Sequence, residues 1–180
     1  SIHKIGILGT GIIGAGLATL TVGNGISATV IGHSQTGLLR CRDTVVENLD
    51  QLVRKFYITP ENKQAALNLL TITAEWEELA GADLVFEAVR EDLFVKQETI
   101  KRAELYLRPD VPILSCTSAI LPSKLAEAAA VPQRIAVAHP FQPAHLQPLV
   151  ELMGHAKTPP GFLQETASLL RNDLDRQVVI

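Results

Sequence analysis

The chain has 180 residues, 47% of them hydrophobic and 19% charged, and a net charge of −3 at pH 7. That length suits one domain able to bury roughly two thirds of its unfolded surface, and the composition excludes a disordered chain. The charge offers no electrostatic basis for binding nucleic acid or an anionic membrane, and the two cysteines, Cys41 and Cys116, form neither a disulfide framework nor a metal-ligand pattern. A reducing cytoplasm is the expected compartment.

In chain order, the apolar run 3–8 reads as a strand ending at glycines, followed by a helix from about Ile13 to Val22 and a second strand at 28–31. From Ile5 to Leu39 there is no Lys, Arg, Asp or Glu, as in a membrane span. Glycines break that run, however, and Asn24, Ser27 and His33 fall inside it, so two buried strands flanking a buried helix account for it better. A long helical region over Thr36–Tyr57 follows, with Leu38, Leu39, Val45, Val46, Leu49, Leu52, Val53 and Phe56 as its apolar stripe. Thr59-Pro60 restarts a helix, with Thr59 as cap and Pro60 at the first helical position.

Strands are expected at 70–73 and 83–89, then an amphipathic helix over 92–107, a strand at 111–116 and a short helix near Ser123–Ala130. A strand at 134–139 delivers His139 at its C-terminal end. A strand at 148–153, a helix from about Pro160 to Arg171 and a strand at 177–180 complete the chain. Alternating strands and helices predict an α/β fold of the Rossmann type, a mostly parallel, doubly wound sheet with helices on both faces, over residues 1–180.

Gly9-Thr10-Gly11-Ile12-Ile13-Gly14 lies between the first strand and the first helix. In a Gly-x-Gly-x-x-Gly loop the first glycine makes the tight turn, the second lets backbone approach a pyrophosphate, and the third lets helix and strand pack closely. The N–H groups at the helix start, from Gly11 through Ile12, Ile13 and Gly14, would face the phosphates. Such folds normally end the second strand in an acid that binds the adenosine ribose and repels a 2′-phosphate. Here the strand ends in Gly32-His33-Ser34. Ser34 can hydrogen-bond a 2′-phosphate, and His33, Arg40 or Arg42 can supply positive charge, so NAD and NADP both stay open as the cofactor.

Three later motifs follow in order, "ADLVFEAVREDLFVKQ" (82–97), "SCTSAILPSKLA" (115–126) and "AHPFQPAHLQPLVEL" (138–152). Together with the glycine loop they resemble the NAD-binding domain of the L-3-hydroxyacyl-CoA dehydrogenase family, which has relatives acting on carnitine and on gulonate, the latter known as lambda-crystallin. The resemblance implies that His139 takes the proton from a substrate hydroxyl as hydride leaves, that Glu91 pairs with His139, that Ser118 contacts the reacting oxygen, and that Lys96 and Glu91 approach the cofactor. It implies an acyl thioester or hydroxy acid as substrate. It also implies a further C-terminal helical domain, absent from this sequence, that adds a substrate-binding asparagine and makes a homodimer. The first residue is Ser1 rather than Met, which we read as a processed or trimmed N-terminus.

Chemistry supports these roles separately. Alcohol oxidation needs a base titrating near neutrality, and a carboxylate partner fixes a histidine's tautomer. His139 and Glu91 both fall at or just past C-terminal ends of expected strands, where open α/β sheets bind ligands. His3, His145 and His155 lack a motif and read as loop or surface residues. Three positions depart from the family pattern: Gly32 at the ribose acid, and Cys116 and Gln142 at two usual asparagines. They point to an unusual substrate or cofactor, or to a non-catalytic nucleotide-binding relative.

Overall fold

The computed structural model describes residues 1–180. Eight strands form one sheet: β1 (Lys4–Leu8), β2 (Ser27–Ile31), β3 (Leu70–Thr73), β4 (Leu84–Glu87), β5 (Ile113–Ser115), β6 (Ile135–Pro140), β7 (Leu149–Met153) and β8 (Gln177–Val179). Their spatial order is β3-β2-β1-β4-β5-β6-β7-β8. All pairings are parallel except β6 with β7, where the direction reverses.

The helices are α1 (Ile12–Gly23), α2 (Gln35–Arg54), α3 (Pro60–Asn68), α4 (Leu93–Glu104), α5 (Pro122–Ala126) and α6 (Phe162–Leu174). Strand residues alternate between two hydrophobic cores, as the two-residue period requires. Ile5 and Ile7 join the larger core, which α1, α2, α3 and α6 cover, and Leu8 joins the smaller core under α4 and α5. The doubly wound arrangement is as expected.

The charge-free run from Ile5 to Leu39 resolves into β1, α1, β2 and the start of α2. Every residue of α1 from Gly14 to Val22 is buried, and the hydroxyls of Thr19 and Thr21 are satisfied by the Ala15 and Leu17 carbonyls one turn back. No helix is long and apolar enough to cross a membrane.

Several boundaries move inward. The long helix ends at Arg54, and Phe56, expected in its apolar stripe, has φ +62° and is 94% exposed. Helical periodicity continues past the point where the backbone turns away. The fourth strand stops at Glu87, and the following helix starts after Asp92, whose side chain caps it by accepting from the Val95 N–H. The short helix expected near Ser123–Ala130 runs Pro122–Ala126. Thr59 caps α3 as expected, with Pro60 in its first turn.

Strand order reverses direction between β1 and β4, since β2 and β3 lie to one side and β4 onward to the other. The C-terminal ends of β1 and β4 therefore flank the crevice where this class of sheet holds its ligands.

Candidate functional site

The glycine loop forms one wall of that crevice. Gly9 has φ +117°, a left-handed conformation, and a Cβ there would sit 2.5 Å from the Ala88 carbonyl oxygen after β4. A Cβ on Gly14 would collide with the Gly9 carbonyl oxygen, so the helix can lie against the loop only without a side chain there. Gly11 differs: nothing lies within 4 Å of where its Cβ would be. Its backbone faces open space.

Gly11 is also the N-cap of α1 and offers no side-chain hydrogen bond. The first N–H bonded inward is that of Ala15, to the Gly11 carbonyl, so the N–H groups of Ile12, Ile13 and Gly14 are left for an external acceptor. Ile12 itself is 80% exposed. Free amides beside an open glycine, at the positive end of a helix, fit a pyrophosphate.

Behind the opposite wall lies a buried polar network. Glu87, fully buried at the end of β4, accepts from Lys96 Nζ at 2.8 Å, Ser115 Oγ at 2.6 Å and the Val89 N–H at 2.9 Å. Lys96 also donates to the Val89 carbonyl at 2.9 Å and is 1% exposed. Lys96 was expected beside the cofactor; its ammonium is instead turned into the protein, because Glu87 is a buried charge that needs it. The Thr117 hydroxyl donates to Glu91 Oε1, and Glu91 Oε2 lies 3.8 Å from Lys96 Nζ. Acids and hydroxyls at the ends of β4 and β5 are thereby tied together.

His139 stands near the end of β6, two thirds buried, with the Phe141 ring edge-on at 5.7 Å between centroids. Its expected partner was Glu91, and that pair is not formed. Glu91 is exposed and is held by Thr117 and Lys96 after β4. The carboxylate beside His139 is Glu151, with Oε2 3.4 Å from Nδ1. Antiparallel pairing of β6 with β7 sets His139 directly opposite Glu151, on one face of the sheet.

Glu151 escaped the sequence reading, though a signal was present. In Leu149–Met153 the buried residues are Val150 and Leu152, and that alternation turns Glu151 to the other face. Ser118 lies exposed just past β5, on the strand neighbouring β6. Cys116 is buried, and burial together with the Glu87 charge pushes its thiol pKa well up, so it is a packing group.

His33, Ser34, Arg40 and Arg42 are all exposed at the start of α2. The Ser34 hydroxyl oxygen caps that helix by accepting from the Gly37 N–H at 3.0 Å, which leaves its proton free. Of the motif-free histidines, His145 lies in a loop as expected and is partly buried. It contacts Gln51 Oε1 at 2.9 Å, and burial lowers its pKa. His155 is held by the Pro132 carbonyl.

Comparison with known proteins agrees with this fold. The family model for the 3-hydroxyacyl-CoA dehydrogenase NAD-binding domain matches residues 4–180. The fatty acid oxidation complex subunit alpha of Shewanella baltica is 33% identical over 180 residues, which covers 99% of this chain and 26% of that protein. The crystal structure of FadB2 from M. tuberculosis superposes with a TM-score of 0.95 at 32% identity, covering 99% of this chain and 63% of that one. For 3-hydroxybutyryl-CoA dehydrogenase from Escherichia coli K12 the TM-score is 0.93 at 27% identity, with 99% and 38% covered.

Proposed function

The chain belongs to the 3-hydroxyacyl-CoA dehydrogenase family through its NAD-binding domain, and from that premise we propose that it interconverts a secondary 3-hydroxyl group and a ketone on an acyl thioester. The observation that carries the reading is the His139–Glu151 pair at the C-terminal edge of the sheet. Because Nδ1 faces the Glu151 carboxylate, Nε2 is the nitrogen left to take the hydroxyl proton. Glu151 orients the ring and stabilises the imidazolium that results.

Ser118, exposed beyond β5, is assigned to donate a hydrogen bond to the reacting oxygen as negative charge builds on it. The loop of Gly9, Gly11, Ile12, Ile13 and Gly14 holds the dinucleotide by backbone N–H groups. The nicotinamide, when bound, supplies the hydride acceptor. Glu91, just past β4, keeps its expected cofactor-side role in this reading but is not the histidine's partner. The homodimer implied by the resemblance belongs to the same proposal, as does a cytoplasmic location, which suits two free, buried cysteines.

The test is oxidation of NADH or NADPH in the presence of acetoacetyl-CoA, followed by nicotinamide absorbance. His139→Gln is expected to lower kcat by roughly 10²–10⁴-fold with dinucleotide binding retained. Turnover unchanged by that substitution would refute the assignment.

A further inference from the structure

The missing acid at the end of β2 is a sequence feature that the proposed reaction does not explain. Gly32 lies where a ribose-binding carboxylate is expected, and the structure shows what occupies the room. A Cβ built on Gly32 would fall well inside contact distance of Thr10 Cγ2 and 2.8 Å from Leu38 Cδ2. The φ of Gly32 is not left-handed, so space and not backbone conformation excludes a side chain.

The two obstructing groups are not equal. Leu38 is partly exposed at the start of α2 and can swing aside. Thr10 is branched at Cβ and sits between two fixed glycines of the loop, and its Oγ1 would be 3.0 Å from a Cβ on Gly37. Of its three staggered rotamers two present a heavy atom to Gly32, and only the one that turns Hβ there would open the position, whereas branching at Cβ restricts that torsion. The glycine loop and the end of β2 are thus packed against each other in a way that shuts the carboxylate position.

We infer that Thr10 sets cofactor choice in this domain: it holds the acid position closed, so that a 2′-phosphorylated nicotinamide dinucleotide binds at least as tightly as the unphosphorylated one. An acid at this place discriminates by bonding the ribose hydroxyls and repelling the phosphate, and both effects are gone. The side chains left at the edge, His33 and Ser34, are exposed and carry no negative charge, and the Ser34 hydroxyl proton is free. Glu75, which follows β3 on the same edge, is the acid to be weighed against this; it forms no ion pair within the chain.

The inference rests on the dinucleotide reading of the crevice, and the experiment separates the two. The chain is titrated with NADH and NADPH in parallel by nicotinamide fluorescence, as wild type, Gly32→Asp, and Thr10→Gly/Gly32→Asp. Wild type is expected to bind NADPH as tightly as NADH or tighter. Gly32→Asp alone weakens both, whereas the double variant binds NADH and loses NADPH by roughly tenfold or more through charge repulsion. Wild-type NADH binding tenfold tighter than NADPH overturns the inference and leaves the proposed reaction standing. A clear gain in NADH preference from Gly32→Asp alone overturns the role of Thr10. Binding of neither dinucleotide by wild type overturns the inference together with the reading beneath it. The wild-type ratio decides the cofactor even where a variant folds poorly.

Discussion

Replacing Lys96 by methionine would leave Glu87 as an unpaired charge in a place water does not reach, since the two side chains are 1% and 0% exposed. At 2.8 Å their attraction is roughly 6 kcal/mol for an effective dielectric near 20, which offsets a desolvation cost of several kcal/mol per ion. The pair is therefore close to neutral as a unit and costly to break. Removing one member is expected to cost about 3–5 kcal/mol, and for a domain of this size that lowers Tm by roughly 10 °C. Glu87→Gln/Lys96→Met is expected to recover at least half of the loss, because Gln can still accept from the Val89 N–H and bond Ser115 Oγ. Urea unfolding of wild type, both single variants and the double variant forms a complete cycle. If the double variant is destabilised by the sum of the singles, the two charges are not compensating one another and the reasoning fails.

Glu151→Gln is expected to lower kcat by roughly 10²-fold with little change in dinucleotide affinity, measured in the acetoacetyl-CoA assay. Gly11→Ala should fold like wild type, since its Cβ meets nothing, yet bind NADPH and NADH weakly; Gly14→Ala should instead lose stability, because its Cβ meets the Gly9 carbonyl, and thermal melts with fluorescence titrations separate the two. For Asp83, burial raises the pKa, but N–H donation from His3 at 2.8 Å and Lys4 at 3.1 Å, with Arg108 nearby, lowers it overall. A carboxyl lowered in the folded state contributes stability above its unfolded pKa, near 3.9, and loses it as pH falls through the folded value. Asp83→Asn should accordingly be less stable at neutral pH and show a shallower acid limb in urea unfolding as a function of pH.

Much of the fold was legible because its signals are local. The alternation of strands and helices, the glycine loop, and the Thr59 cap with Pro60 behind it each depend on residues within a turn or two. What failed depends on distant residues. Glu91 was paired with His139 although only the folded chain decides which carboxylate reaches the ring, and the reversal of β7 chooses Glu151. Lys96 was assigned to the cofactor because nothing along the sequence shows that α4 folds its ammonium back onto Glu87. Phe56 shows the limit of periodicity, which carries the apolar pattern past the last helical turn.

The antiparallel pairing of His139 with Glu151 separates the spacing of the two side chains from the chain that links them. Their distance is set by the gap between neighbouring strands, close to 4.8 Å in any sheet, and by backbone bonds on either side of them. The connection from Phe141 to Pro148 can then change in length or composition, and so reshape whatever it borders, while histidine and carboxylate keep their places. A slip of one residue along β7 is the change that cannot be absorbed, because it would turn Glu151 to the opposite face and bring Val150 or Leu152 level with the histidine.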